Sequence, residues 1–305
     1  MNLSDLEKIE FSDNSRLNFD YDLSRLNWFN IGGKSKIYFY VNSLKDLSLF
    51  LKIYKKRGKV FILGAGSNTL FDDNIYDGVV IKLGKNFNNI SKLNDDTIIC
   101  GSSCLDKRVS DFAMENEIEG FEFLSCIPGS VGGGIRMNAG CYGNEFKDII
   151  VSVQAIDLNG LVSTIYSSEI VFKYRSSSLP KNLIYLSGTF KGNLSKKEKI
   201  KIKMDELKNK KELSQPLRVK TGGSTFKNPI DQTDKKVWEL IKESVDINKI
   251  NKMFGDAKLS EKHCNFIINQ EKATSKDMKN LINFVKENVY KKTGVNLELE
   301  IILAS

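Results

Sequence analysis

Seven glycines between Gly120 and Gly143, three of them consecutive at Gly132, Gly133 and Gly134, constrain this chain more than any other feature. The stretch reads EGFEFLSCIPGSVGGGIRMNAGCYGNE over residues 119–145. Glycine loses more backbone entropy on folding than any other residue, so a cluster persists only where side chains would obstruct something. A bound phosphate is one such thing, because bare backbone N–H groups can approach and cradle it. A set of tight turns inside a packed domain is the other. Ser125, Ser130 and Asn138 add donors here without adding negative charge. A second loop, Gly64-Ala65-Gly66-Ser67-Asn68, follows the apolar run Val60-Phe61-Ile62-Leu63 upstream, and the two together point to a large phosphorylated ligand.

A strand running into glycines invites a dinucleotide-binding reading, which the spacing rejects. That fingerprint needs a third glycine three positions after the second, where this chain has Thr69, and the following LFDDNIYDGVVIKL reads as loop and strand rather than helix. Neither glycine cluster is followed by Gly-Lys-Ser/Thr, so a P-loop is excluded too. GAGSN is a phosphate-loop candidate of another kind, with Ser67 and Asn68 as side-chain donors.

The 305 residues suffice for two or three domains. No apolar run approaches the roughly 20 residues of a membrane span, and the polar opening MNLSDLEKIEFSDN is not expected to be a signal peptide. Five cysteines without paired spacing and a single histidine, His263, give no expectation of a metal site and fit free thiols in a reducing cytoplasm. The net charge of +8 suits either nucleic acid or a small anionic ligand. The densest lysine run, Lys196 to Lys211, carries Glu198, Asp205 and Glu206 and reads as a solvated helix face, so the small anion is favoured.

Along the chain, Ser43 caps a helix predicted over 44–57 that Gly58 ends. Strands are predicted at 78–83 and 97–101, then a helix near 105–117. Asn159-Gly160 separates the two strands of a hairpin. Ser167 or Ser168 is expected to cap a short helix carrying Tyr174-Arg175, ahead of a strand at 183–190. Ser195 and Glu198 form a capping box for a helix over 196–213. A third polar glycine loop, QPLRVKTGGSTFKNPID, leads to a helix near 234–244, a strand at 263–269, a helix over 275–292 capped by Ser275, and a last strand LELEIIL. Mixed strands with few helices argue for an α+β fold.

Seven segments stand in an order that resembles the UDP-N-acetylenolpyruvoylglucosamine reductase family. They are NIGG (30–33), LGAGSN (63–68), GFEFLSCIPGSVGGGIRMNAGCYGNE (120–145), YRSS (174–177), GGSTFKNP (222–229), SEKHCNFIIN (260–269) and LELE (297–300). Three positions depart from the usual pattern. Cys126 stands where glycine is usual, Gly134 where alanine is common, and FNIGG lacks an arginine before its isoleucine.

The resemblance implies a vanillyl-alcohol-oxidase-type FAD-binding fold with two α+β subdomains, 1–85 and 86–195, and a C-terminal substrate domain, 196–305. The length of the chain suggests the shorter family type, without an inserted tyrosine loop. FAD would be held non-covalently by Gly64, Ala65, Gly66, Ser67, Asn68, Ser125, Ile127, Pro128, Gly129, Ser130, Gly132, Gly133, Asn138 and Gly140. NADPH would be the hydride donor and the UDP-sugar enolpyruvate the substrate, in a cytoplasmic monomer with neither a membrane nor a nucleic-acid partner.

Reducing an enolpyruvyl ether needs hydride at the β-carbon, a partner for the charge that builds on the carboxylate, and a proton at the α-carbon. Arg175 suits the carboxylate, since a guanidinium pairs with it in bidentate fashion and stays charged. Ser224, flanked by Gly222 and Gly223, matches the proton donor, and Glu300 matches the catalytic glutamate. Glu298 and Glu300 are expected on one face of the terminal strand. Tyr142, Lys227, Asn228 and Lys262 are the substrate-binding candidates, while His263 is read as structural. Two other readings stand beside this one: a different FAD-dependent oxidoreductase of the same fold, and a non-catalytic nucleotide- or nucleic-acid-binding protein.

Overall fold

The computed structural model describes residues 5–12, 14–55 and 57–305. Residues 1–4 and 13 of the polar opening, and position 56 of the first predicted helix, lie outside the described residues. The chain divides into two compact units, one of residues 1–19, 37–65 and 78–211, the other of 20–36, 66–77 and 212–305. The division therefore falls inside the GAGSN loop, between Ala65 and Gly66. Among the described residues seven α-helices run in chain order: α1 Leu44–Tyr54, α2 Asp106–Glu115, α3 Val131–Met137, α4 Lys197–Ser214, α5 Val237–Ser244, α6 Ile247–Ile250 and α7 Ser275–Thr293. No helix among the described residues is long and apolar enough to cross a membrane.

The first unit holds two cores. One packs α1 on a four-stranded sheet ordered Arg16–Asp22, Lys34–Val41, Tyr76–Leu83, Lys59–Ile62, most of whose residues belong to this unit. Leu47, Phe50, Leu51 and Tyr54 recur at helical spacing and meet Ile37, Phe39, Val79 and Ile81. Ser43 caps α1 as expected, its Oγ accepting from Asp46 N at 3.1 Å. The helix stops at Tyr54, because Lys55 turns left-handed (φ 48°) and donates to Leu51 O, so Gly58 is not its end.

The other core covers a five-stranded antiparallel sheet ordered Val162–Tyr166, Ile150–Ile156, Ile184–Lys191, Thr97–Gly101, Ile90–Lys92. Val109, Ala113, Val131, Ile135 and Phe146 pack there against Ile98, Val153 and Phe190. The expected hairpin is present: Ile156 pairs with Val162, and Asp157 Oδ1 accepts from Asn159 N and Leu161 N to close the turn. Helix α4 buries Ile200, Met204 and Leu207 on one stripe and leaves its lysines outward. Ser195 does not cap it: the helix starts at Lys197, and the Ser195 N–H donates to Glu117 O at 2.9 Å.

In the second unit a sheet ordered Lys220–Ser224, Phe266–Asn269, Ala257–Leu259 carries α5 and α7 over a core of Leu240, Ile241, Leu259, Ile267, Leu281 and Val285. Thr274 rather than Ser275 caps α7, in a reciprocal pair with Asp277. Ser275 Oγ faces Asp72 and Asp73 instead, at 3.0 and 2.8 Å. Gly294 (φ 72°) ends that helix as its sequence suggests. The terminal strand is shorter than LELEIIL predicts: only Ile302–Ala304 pairs, in parallel with Thr69–Phe71.

Candidate active site

The two glycine stretches meet in the first unit at one hydroxyl. A Cβ on Gly64 would lie 2.6 Å from Ser130 Oγ, and a Cβ on Gly133 would find only that same oxygen within 4 Å, at 3.7 Å. Ser130 is 2% exposed, and its Oγ has no hydrogen-bond partner. A buried hydroxyl without a partner is costly, so a ligand oxygen fits this place. Lys82 Nζ donates to the Gly64 carbonyl at 2.8 Å, and burial holds its pKa below the usual lysine range. Lys82 was legible only as a charged residue inside the apolar strand Tyr76–Leu83, a signal that sequence reasoning passed over.

The remaining glycines divide by what surrounds them. A Cβ on Gly66 would strike Leu26 O at 2.2 Å, and one on Gly140 would strike Asn144 O at 2.3 Å, so turn packing alone excludes side chains at both. Gly132 faces Ser102, and its N–H donates to Ser102 O at 2.8 Å. Gly129 lies against Asp106, whose Oδ2 would be 2.6 Å from a Cβ there. Asp106 is wholly buried with both carboxyl oxygens unpartnered, and desolvation pushes its pKa well above the carboxylate range. Of the other candidates in these stretches, Ser125 Oγ donates to Glu122 O at 2.6 Å. Ala65, Ser67, Ile127 and Pro128 line the same two loops. Asn68 Nδ2 donates to Glu300 O at 3.0 Å, inside the second unit.

Arg175 is held by its surroundings in the first unit. It does not sit on a helix as expected: Tyr174 and Arg175 form the two-residue turn between the short strands Phe172–Lys173 and Ser176–Ser177, and Arg175 is left-handed (φ 55°). The physical reason is the Lys173–Ser176 pairing, which closes a hairpin where a helix would have to continue. Arg175 Nη2 donates to Gly140 O at 2.9 Å, Nη1 lies 3.8 Å from Glu145 Oε1, and its carbon stands 4.8 Å from the Tyr174 ring centroid. Glu145 is held in turn by Asn138 Nδ2 at 2.9 Å and Lys147 Nζ at 2.9 Å. Asn138 Nδ2 also donates to Lys173 O, so it braces both turns. Glu145 was not among the sequence candidates, though it closes the glycine stretch. Tyr142 and Gly143, with φ of 52° and 93°, make the tight turn between Cys141 and Asn144, and Tyr142 is 42% exposed.

In the second unit Ser224 ends the strand Lys220–Ser224, just past a register shift between Thr221 and Ser224 opposite Phe266. Such a bulge re-aims the side chain that follows it. Gly223 is left-handed (φ 79°), with open space where its Cβ would be, whereas a Cβ on Gly222 would strike the Phe29 ring at 2.4 Å. Thr225, directly after Ser224, accepts from Glu300 N at 2.9 Å, which fixes the Glu300 backbone beside the bulge. Glu298 and Glu300 do not share a regular strand face. Only Leu299 bridges, to Phe226, and the exposed Glu298 carboxylate pairs with Lys227 Nζ at 3.4 Å. Asn228 Oδ1 accepts from Val237 N at 3.1 Å and so caps α5. Lys262 lines a cleft of about 980 Å³ with Arg218, Lys220, Lys252 and Lys258, and its Nζ donates to Glu212 O. The His263 ring stacks edge-on against Phe266 with centroids 5.0 Å apart, and burial lowers its pKa. The strand it was expected to lead begins only at Phe266, whose N–H turns back to His263 O at 2.9 Å.

Known proteins carry the same parts. The profile described as "UDP-N-acetylenolpyruvoylglucosamine reductase, C-terminal domain" matches residues 215–304, and that described as "FAD binding domain" matches 35–166. The UDP-N-acetylenolpyruvoylglucosamine reductase of Pelagibacter ubique is 58% identical over 99% of this chain and 99% of its own length. That of Rickettsia massiliae is 47% identical over 92% of this chain and 93% of its own. The crystal structure of UDP-N-acetylenolpyruvylglucosamine reductase from Thermus caldophilus superposes with a TM-score of 0.78 at 27% identity, covering 96% of this chain and 99% of that one. The α+β architecture is thus an FAD-binding fold followed by a C-terminal domain of that family.

Proposed function

The chain belongs to the UDP-N-acetylenolpyruvoylglucosamine reductase family, and from that premise we propose the part each residue plays. The protein is an NADPH-dependent flavoprotein that reduces UDP-N-acetylglucosamine enolpyruvate to UDP-N-acetylmuramate, a peptidoglycan precursor. FAD, held by the loops 64–68 and 125–140, would supply the hydride chemistry between NADPH and the enolpyruvyl β-carbon. The unpartnered Ser130 hydroxyl, with Gly64 and Gly133 bare on either side, fits the cofactor's pyrophosphate, and Lys82 places a cation behind Gly64.

Arg175 pairs with the substrate carboxylate and stabilises the charge that grows there. Its ties to Gly140 O and Glu145 fix the plane of the guanidinium before substrate arrives. Ser224 gives a proton to the α-carbon, and Glu300, its backbone secured through Thr225, orients the proton donor or the enol. Lys227, Asn228, Tyr142 and Lys262 bind the diphosphate and sugar of the substrate, the lysines supplying charge. The +8 net charge serves those phosphates and NADPH rather than nucleic acid, in a monomeric, cytoplasmic enzyme. The observation that carries the Ser224 assignment is its place after a bulge and a left-handed glycine with open space beside it.

The test separates the two half-reactions. NADPH oxidation needs no α-carbon proton, so Ser224→Ala should reduce its flavin at the parental rate in stopped flow. Reoxidation by the enolpyruvyl substrate should then slow by roughly 10²–10⁴-fold. Equal reoxidation rates in parent and variant would remove Ser224 from the role.

A further inference from the structure

The basic cleft of the second unit has one assigned residue, Lys262, and four cations without a role. It holds about 980 Å³ and is lined by Arg218, Lys220, Lys252, Lys258 and Lys262 against a single carboxylate, Glu261. We propose that the part of this cleft formed by Arg218, Lys252 and Lys258, away from Ser224, recognises the 2′-phosphate of NADPH and so sets the preference for NADPH over NADH. This rests on the reductase reading above, in which NADPH is the hydride donor.

The charge in the cleft is not neutralised. None of the five cations pairs with a carboxylate among the described residues. Lys258 Nζ donates to the main-chain carbonyls of Asn251 and Gly255, Lys262 Nζ to that of Glu212, and Lys220 Nζ to that of Glu271. Such bonds orient an ammonium but leave its charge whole. The Arg218 and Lys252 side chains make no hydrogen bond among the described residues. A concave surface of one sign gathers anions. Arg218 is left-handed (φ 58°), a conformation that glycine takes without strain, so the position keeps a side chain against the preference of its backbone. That side chain is a guanidinium, whose parallel N–H groups match two phosphate oxygens.

Strand register shows how far these charges lie from the chemistry. Ser224 stands opposite Phe266, whereas Thr221 and Lys258 flank Ile268, two residues further along the strand Phe266–Asn269. Two residues along and two strands across put Lys258 roughly 12 Å from Ser224. Arg218 precedes the strand Lys220–Ser224 by two residues, at its opposite end from Ser224. Lys262 lies instead in the loop 260–265, at the Ser224 end. The sugar nucleotide carries its charge close to its reacting carbon, as a carboxylate there and a diphosphate one sugar ring away. Its far end is an uncharged uridine, which offers a distant cation nothing to pair with. NADPH ends in an adenosine ribose whose phosphomonoester carries about −1.5 to −2 near pH 7. NADH has a hydroxyl in the same place. Of the anionic groups on these ligands, the 2′-phosphate is the one far enough from the reacting carbon to meet Arg218.

Two measurements on the FAD-loaded enzyme test this: stopped-flow flavin reduction over a range of NADPH and of NADH, and calorimetric binding of adenosine 2′-phosphate to the oxidised form. The parent should half-saturate at lower NADPH than NADH and bind adenosine 2′-phosphate more tightly than adenosine. Arg218→Ala should raise the half-saturating NADPH roughly 10–100-fold, leave that for NADH at the parental value, and lose adenosine 2′-phosphate binding. Lys252→Ala, at an exposed position, should act in the same sense to a smaller extent. Arg218→Lys should recover part of the loss, since the charge remains and the fork does not. Half-saturation of reoxidation by the sugar nucleotide should stay parental in all three variants. Equal weakening of NADPH and NADH, or weaker use of the sugar nucleotide, would overturn the assignment. So would a parent that takes both pyridine nucleotides equally well. A parent whose flavin neither nucleotide reduces would overturn the reductase reading itself, and the assignment with it.

Discussion

Gly134→Ala should destabilise this enzyme, although alanine is the better helix former. The position lies in α3, where replacing glycine by alanine favours the helix by about 1 kcal/mol. Here the new Cβ would stand 2.2 Å from both Cε2 and Cζ of Phe146, against ordinary carbon contacts of about 3.5–4 Å. The ring must retreat by more than an ångström, and it has nowhere to go. Phe146 is wholly buried and edge-on to two other rings, its centroid 6.3 Å from that of Phe123 and 5.8 Å from that of Phe190. Overpacking a dense core costs about 1–3 kcal/mol, and each aromatic pair disturbed adds up to about 1 kcal/mol.

Setting an upper-range strain of about 3 kcal/mol against the propensity gain leaves a net loss of about 2 kcal/mol. For a unit of this size that lowers Tm by about 4–8 °C. Thermal unfolding followed by circular dichroism, at fixed protein and FAD concentrations, reads it directly. Phe146→Leu in the same chain should recover about 1–2 kcal/mol of the loss, because the methyl then fills the space the ring vacates. A Gly134→Ala enzyme as stable as its parent, or a double variant whose effects simply add, would refute the packing argument.

Two further outcomes follow from the same region. Gly64→Ala sets a methyl 2.6 Å from Ser130 Oγ and should weaken FAD retention roughly tenfold or more, read by equilibrium dialysis; parental retention would remove this loop from the cofactor site. Asp106→Asn should gain stability over the parent as pH rises. The buried carboxyl has a folded pKa above its unfolded value near 3.9, so below about pH 4 it carries no penalty. Above that, parental stability falls by about 1.4 kcal/mol per pH unit until the folded pKa is reached, whereas the amide is indifferent. A parent–variant difference that stays flat between pH 4 and 7 in urea unfolding would contradict a neutral Asp106.

Local signals carried the sequence reading well where one residue decides an element. Ser43 caps α1, Gly294 closes α7, and Asn159-Gly160 turns the hairpin, each through short-range bonds that any surrounding fold would keep. The signals failed where a distant partner competes. Ser275 leaves its cap for Asp72 and Asp73, partners more than 200 residues away in the chain. Glu298 and Glu300 misled in the same manner: alternation implies a shared face only within a regular strand, and the pairing there is a single bridge at Leu299.

The candidate site shows the same division at the level of chemistry. Motif order brought Arg175 and Ser224 into view, but not what holds each of them. Arg175 owes its orientation to Gly140 O and Glu145, and Glu145 to Asn138, a chain of contacts that no spacing rule encodes. Gly134 shows the same dependence: Phe146 occupies the room an alanine would need, so the two positions must be read as a pair. A ring packed against the helix backbone admits no methyl there, and the residue at 134 becomes legible only once the one at 146 is placed.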